Sequence, residues 1–159
     1  MSDDLSRSSR RVQDALAANG AAFTVVELPA TTRTAVDAAN AIGCTVAQIA
    51  KSIVFRTAQG KEPVMVVASG VNRVNEKRVA EILGEPIEKA DAEFVRARTG
   101  FAIGGVPPIG HAEPIRILVD EDLLALGEIW AAAGTPNSVF KLDAAALVAI
   151  TGGDVRAIK

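Results

Sequence analysis

Lys51-Ser52 and the stretch from Gly100 to His111 hold the residues whose types and spacing could do chemistry. A lysine ammonium is a compact point charge, able to meet a phosphate or to polarise a substrate oxygen. In the second stretch, Gly104 and Gly105 can adopt angles closed to other residues and bring bare N–H groups close to a ligand, while Pro107 and Pro108 hold the chain in a stiff extended path. Such N–H donors suit a developing oxyanion, so the stretch fits a pocket wall. The same composition also serves an ordinary crossover turn. His111 is the only imidazole, and any Ser-His-Asp or Cys-His mechanism would have to use it. It fits a general base, or a surface histidine bonded to Glu113. Cys44 stands at an apolar helix end and reads as a small packed hydrophobe. One cysteine and one histidine make neither an internal disulfide nor a Cys/His metal site, so no metal or other cofactor is expected. Trp130 reads as core, with base stacking as the other option.

These residues need elements to position them. Ser9 reads as the cap of a helix carrying Val12, Ala15 and Leu16, stopped by Asn19-Gly20. Phe23–Leu28 is a strand ending at Pro29. The polar cluster Thr31 to Thr34 caps a short helix, Ala35 to Ile42, closed by Gly43. Thr45 opens another helix, Val46 to Lys51, which places Lys51 at a helix-to-strand junction. Ile53 to Thr57 and Pro63 to Ala68 form a hairpin, and Val64 to Ala68 is apolar without alternation, the pattern of a strand buried on both faces. Helices follow from Asn75 to Leu83 and from Asp91 to Thr99, with a short extended piece between them, and Gly100 delivers the chain into the glycine-proline loop. Beyond it come a strand at Pro114–Val119, a short acidic helix or turn at Asp120–Ala125, and a strand at Ile129–Ala132. A turn at Gly134–Asn137, a strand at Val139–Leu142, a last helix capped by Asp143 and an edge strand at Val155–Ile158 complete the chain. Without regular βαβ alternation the class is α+β, with a curled, barrel-like mixed sheet surrounded by helices.

The 159 residues, 49% hydrophobic and 23% charged, suit one domain over 1–159 with residues 1–6 frayed. No apolar run approaches the roughly 20 residues of a membrane span, and no signal segment is seen, so a cytoplasmic protein with no membrane partner is expected. The net charge of −2 argues against nucleic-acid binding through overall charge. The charge is uneven, with +3 over residues 1–80 and −5 over 81–159. The first half thus permits a modest basic patch for a phosphate backbone.

Taken in order, the Thr31 to Thr34 cluster, Lys51-Ser52, the loop Gly104-Gly105-Val106-Pro107-Pro108-Ile109-Gly110 and the turn Gly134-Thr135-Pro136-Asn137-Ser138 resemble the YbaK/prolyl-tRNA-editing family, above all its freestanding members. The likeness runs from about Val12 to Gly153. It implies the fold of the YbaK and prolyl-tRNA-synthetase-associated domain. It also implies a trans-editing deacylase that hydrolyses the ester of a mischarged tRNA, tRNA-Pro carrying a small wrong amino acid. Lys51 matches the family lysine that holds the acceptor end, and Gly104 and Gly105 lie in the loop whose backbone positions the ester. Thr31, Thr32, Ser52, Val106, Pro107, Gly110, His111, Gly134, Asn137 and Ser138 are the candidates for substrate binding, and the lone imidazole of His111 suits a 2′-hydroxyl contact by its own chemistry. Water or a substrate group is the nucleophile, and no metal ligand or cofactor is implied. The partners implied are the acceptor end of a mischarged tRNA and prolyl-tRNA synthetase, with no DNA. The alanine-editing branch follows its lysine with asparagine and carries a histidine in a later loop, where this chain has Ser52 and the Gly134–Ser138 turn. The cysteine-specific branch differs after the glycine loop, so the amino acid removed stays open.

The rival readings are a non-catalytic tRNA- or synthetase-binding module, favoured by the missing acid-base pair, and a small-molecule ester hydrolase, favoured by the low basicity. Expectations for the site are that Lys51, Gly104–Gly110 and Gly134–Ser138 line one pocket selecting small side chains, and that alanine at Gly105 would narrow it.

Overall fold

The computed structural model describes residues 6–29 and 34–159, so Thr31 and Thr32 lie outside the described residues. The helices are α1 (Arg7–Ala18), α2 (Ala35–Ile42), α3 (Glu76–Leu83), α4 (Ala92–Thr99) and α5 (Ala144–Thr151). Each begins on a side chain that accepts an otherwise orphaned N–H: Ser6, Thr34, Asn75, Asp91 and Asp143 accept from Ser9, Asp37, Arg78, Phe94 and Ala146. The start of α1 differs from expectation. Ser6 is the cap, and its own N–H donates to Glu27 Oε1 at 2.9 Å. Ser9 lies inside the first turn and is fully buried, where its hydroxyl donates to Ser138 Oγ at 2.8 Å.

The strands are β1 (Val25–Glu27), β2 (Ile49–Thr57), β3 (Pro63–Ser69), β4 (Ile87–Lys89), β5 (Arg116–Asp120), β6 (Glu128–Ala132), β7 (Ser138–Asp143) and β8 (Asp154–Arg156). They form one eight-stranded sheet in the order β1-β7-β6-β2-β3-β5-β8, with β4 also paired to β2. The β2–β6, β3–β5 and β5–β8 pairs are parallel and the rest antiparallel. The class is α+β in a single domain, as expected, and the sheet is open, with β1 and β8 at its ends. Thr45 opens only a 3-10 turn, Val46–Gln48, and β2 already begins at Ile49. Lys51 is thus a strand residue, because pairing of Ala50 and Lys51 with Ser69 and Ala68 overrides the local helical tendency.

β3 is buried along its whole length, which its unalternating Val64–Ala68 run demands. On one face Val54, Met65 and Val67 pack with Val12 and Leu16 of α1, Val95 of α4, Leu147 of α5, and Phe101, Val106 and Ile109 of the glycine-proline loop. On the other, Phe55, Val66, Ala68 and Leu118 pack with Val79 of α3. Ile49 packs there with Ala38 and Ala39 of α2. Because side chains alternate along β2, Lys51 shares the face of Ile53 and Phe55, and Ser52 shares that of Val54.

Candidate active site

The outer edge of β2 is covered only at its ends. β6 pairs with Ile49 and Ala50, and β4 pairs with Phe55, Arg56 and Thr57. Lys51 to Val54 have no strand beside them on that side. Ile49 O accepts from Gly70 N–H at 2.7 Å and Thr57 N–H donates to Glu62 O at 2.9 Å, so the odd-numbered residues of β2 turn their main-chain groups toward β3. Antiparallel alternation then turns those of Ser52 toward the gap.

A cavity of about 620 Å³ opens at this gap and reaches both faces of β2. On the Lys51 face its walls include Thr34, Ala35 and Ala38 of α2 and its cap, Arg73 and Glu76 at the start of α3, and Trp130 of β6. On the Ser52 face they are Val54, Val95 and the loop residues Ile103, Gly104 and Val106. One end is therefore charged and the other apolar.

Lys51 is half-buried, and no acceptor or carboxylate among the described residues pairs with its ammonium. Desolvation pushes its pKa below the ordinary lysine value, and the Asp120 carboxylate on the same face partly opposes this. Asp120 is itself occupied: it accepts from Ser69 N–H at 3.0 Å and Asn72 Nδ2 at 2.8 Å, which ties down the turn leading to Arg73. Gly70 in that turn lies against α2 and the 3-10 turn, where a Cβ would come within 2.3 Å of Val46 O. Ser52 Oγ is the one buried side-chain polar atom without a hydrogen-bond partner among the described residues. In the loop, Gly105 N–H donates to Ala102 O at 3.2 Å, whereas the N–H groups of Gly104 and Val106 have no acceptor among the described residues.

The other sequence candidates stand behind this wall. Gly105 is not a lining residue; its carbonyl accepts from Gly134 N–H at 2.9 Å, so the Gly134–Ser138 turn backs the loop instead of lining the cavity. Within that turn Ser138 Oγ accepts from Thr135 N–H and donates to Ala133 O, and Asn137 Nδ2 donates to Leu28 O. Pro107, Gly110 and His111 also lie off the cavity. His111 Nε2 is 2.7 Å from Pro107 O, and burial pushes its pKa down, so the neutral ring donates to that carbonyl. Glu113, the expected partner, instead takes Arg98 at 2.7 Å. Cys44 packs beside the Ala38, Ala39 and Ile49 cluster, and burial pushes its thiol up, away from a nucleophile's range. Among the described residues no three His, Cys, Asp or Glu side chains are grouped to hold a metal.

Sequence reasoning missed Arg73, Val95 and Ile103 as cavity walls. Ile103 carried the only local signal, an apolar residue beside two glycines, and it is 57% exposed at the loop tip.

Residues 29–150 match the model of the aminoacyl-tRNA editing domain. The chain belongs to that family. It is similar to the uncharacterized protein YwhH of Bacillus subtilis, 30% identical over 118 residues and 74% of each chain. It is also similar to the proline–tRNA ligase of Limosilactobacillus fermentum, 40% identical over 91 residues, which are 55% of this chain and 16% of that synthetase. A solved structure described as a proposed trans-editing enzyme for prolyl tRNA synthetase superposes with a TM-score of 0.92 at 47% identity, covering 98% of this chain and 99% of that one. The hypothetical protein APE2540 superposes at 0.86 with 28% identity, over 93% and 98% of the two chains. This editing domain thus contains the Lys51 cleft and the glycine-proline loop within the matched region. Among the described residues no helix is long and apolar enough to cross a membrane.

Proposed function

We propose that this editing domain is a trans-acting aminoacyl-tRNA deacylase, cytoplasmic, which hydrolyses the ester of tRNA-Pro carrying a small wrong amino acid. The observation that carries the reading is a half-buried lysine ammonium with no ion-pair partner among the described residues, in a cavity also lined by Gly104 and Val106, whose N–H groups have no acceptor among those residues.

Lys51, with Arg73 on the same side, meets a phosphate or ribose oxygen of the acceptor end, and Trp130 offers a ring at that mouth. The aminoacyl group lies toward Ser52, Val54, Val95 and Val106. Attack of water on the ester carbonyl puts negative charge on its oxygen, and the Gly104 and Val106 N–H groups donate to that oxyanion. The bond to the ribose oxygen then breaks, that oxygen takes up the proton given up by the attacking water, and free amino acid and tRNA are released. No protein nucleophile or base is needed; positioning and preorganised donors supply the acceleration. Valine walls on the inner end favour a small side chain by excluding larger ones. Pro107, Gly110, His111, Gly134, Asn137 and Ser138 keep a role as supports of the loop. Thr31 and Thr32, in the segment before α2, remain candidates for the acceptor end, and prolyl-tRNA synthetase is a candidate partner.

The decisive experiment incubates the protein with tRNA-Pro charged with alanine, serine, cysteine or proline and counts released amino acid. Release of small residues with proline spared is expected. Binding of tRNA without release of any amino acid would instead make it a non-catalytic module.

A further inference from the structure

The catalytic loop is held from behind by a residue that lies outside both the cavity and the matched family region, and we propose that Arg11 is the positioning residue that fixes the Gly100–Gly110 loop in its working shape. Its guanidinium spans both ends of the loop. Nη1 donates to Gly100 O at 3.2 Å and Nη2 donates to Gly110 O at 3.1 Å. The guanidinium carbon lies 4.6 Å over the ring of Phe101, a side chain buried within the core.

The surface of α1 is fitted to this contact. Gly100 and Gly110 both have left-handed φ, +84° and +82°. A Cβ on Gly100 would lie 2.8 Å from Arg11 Nη2, and one on Gly110 would meet Ala15 Cβ at 3.4 Å. Inside the loop itself the main chain makes little: Gly105 N–H to Ala102 O is its one internal backbone bond among the described residues. A loop rich in glycine and poor in internal bonds loses much entropy on ordering, so its shape must be imposed by neighbours. The planar fork of arginine reaches two carbonyls from two separate nitrogens held in a fixed geometry, whereas the three donors of a lysine all leave one nitrogen on a flexible stem. Because the ends are fixed, the Gly104 and Val106 N–H groups are held where the ester needs them, and a displacement of about 1 Å in such a group is enough to cost up to about 10²-fold in rate. Arg11 touches no substrate; it acts through the loop.

The catalytic consequence rests on the deacylase reading, while the conformational one does not. The test compares wild type, Arg11→Lys and Arg11→Met, the latter keeping the aliphatic packing on Phe101. Turnover of alanyl-tRNA-Pro is measured beside amide hydrogen exchange of peptides covering residues 100–112 and β3. For both variants kcat is expected to fall about tenfold or more, with KM within about twofold, and loop amides to exchange about tenfold faster while β3 is unchanged. Methylguanidinium added to Arg11→Met should restore part of kcat. Loop exchange unchanged in both variants would overturn the proposal, as would faster exchange with wild-type kcat. Equal loosening of β3 and the loop would overturn it too, since Arg11 would then support the whole fold. If wild type releases no amino acid, the deacylase reading fails, and the exchange data still decide whether Arg11 staples the loop.

Discussion

Gly105 sits against Thr135 so closely that a Cβ on it would lie 2.7 Å from the Thr135 carbonyl carbon and 2.8 Å from its Cα. Backbone cannot yield as a flexible side chain can, so the space beside Gly105 belongs to the Gly134–Ser138 turn and not to the substrate. The expectation that alanine here would narrow the pocket is therefore revised: the methyl would lift the loop off its support. Gly105→Ala is expected to lower kcat by about 10²-fold for every accepted amino acid alike and to destabilise by about 1–3 kcal/mol. Relative kcat/KM for alanyl- and threonyl-tRNA-Pro checks this, since a selective loss of the threonyl substrate would place the methyl in the cavity after all.

Lys51→Met removes a charge that folding has partly desolvated. Its folded pKa lies below the ordinary value, so the unfolded state binds more protons between the two pKa values, and stability rises with pH through that window. The substitution should remove this pH dependence and leave the melting temperature at pH 7 unchanged or higher. Deacylation should fall about 10²-fold or more, because the lost contact is with the substrate. In wild type the activity should decline on the alkaline side earlier than a free lysine would titrate. Activity of Lys51→Met within a few fold of wild type would reduce Lys51 to a solvated strand residue.

Ser52 carries a buried hydroxyl without a hydrogen-bond partner among the described residues. An unsatisfied buried hydroxyl costs about 1–3 kcal/mol, so Ser52→Ala should raise stability by an amount of that order. If the hydroxyl is kept for the substrate, kcat/KM should fall at the same time. Denaturant unfolding and single-turnover deacylation on the same preparation measure both. A variant that is less stable and equally active would mean that Ser52 Oγ already has a partner in solution.

His111 supports the loop as a neutral ring. Burial, with a smaller contribution from the nearby Arg11 charge, places its folded pKa below the ordinary 6.5, while the Pro107 carbonyl opposes the shift. The unfolded chain therefore takes up the proton first as pH falls below about 6.5, and stability is lost from there down to the folded pKa, being fully present above. His111→Gln keeps a donor for Pro107 O and removes the titration. Its melting temperature should depend less on pH as the pH falls below about 6.5 than that of wild type. Equal pH dependence of the two proteins would sink this account.

The sequence by itself determined what is decided among near neighbours. Asn75, Asp91 and Asp143 capped their helices and Gly84, Gly100 and Gly152 ended them, because a cap bonds an N–H three residues on and a left-handed terminus needs a glycine. The unbroken apolar run of β3 already placed it at the centre of the sheet, and the glycines and prolines after Thr99 already excluded regular structure there. Lys51 and the loop could be named as chemistry. Only the tertiary structure decided how they meet. The gap at Lys51–Val54 exists because β6 and β4, from distant parts of the chain, stop short of each other along one strand edge, and no local rule sets that register. The inner walls are valines whose sequence context is that of any core residue. The pairing of Gly105 with Thr135, of Arg11 with both ends of the loop, and of Asp120 with the turn before Arg73 joins residues 30 to 99 positions apart. Those contacts come from packing two faces of one sheet, and packing is fixed by the whole chain at once.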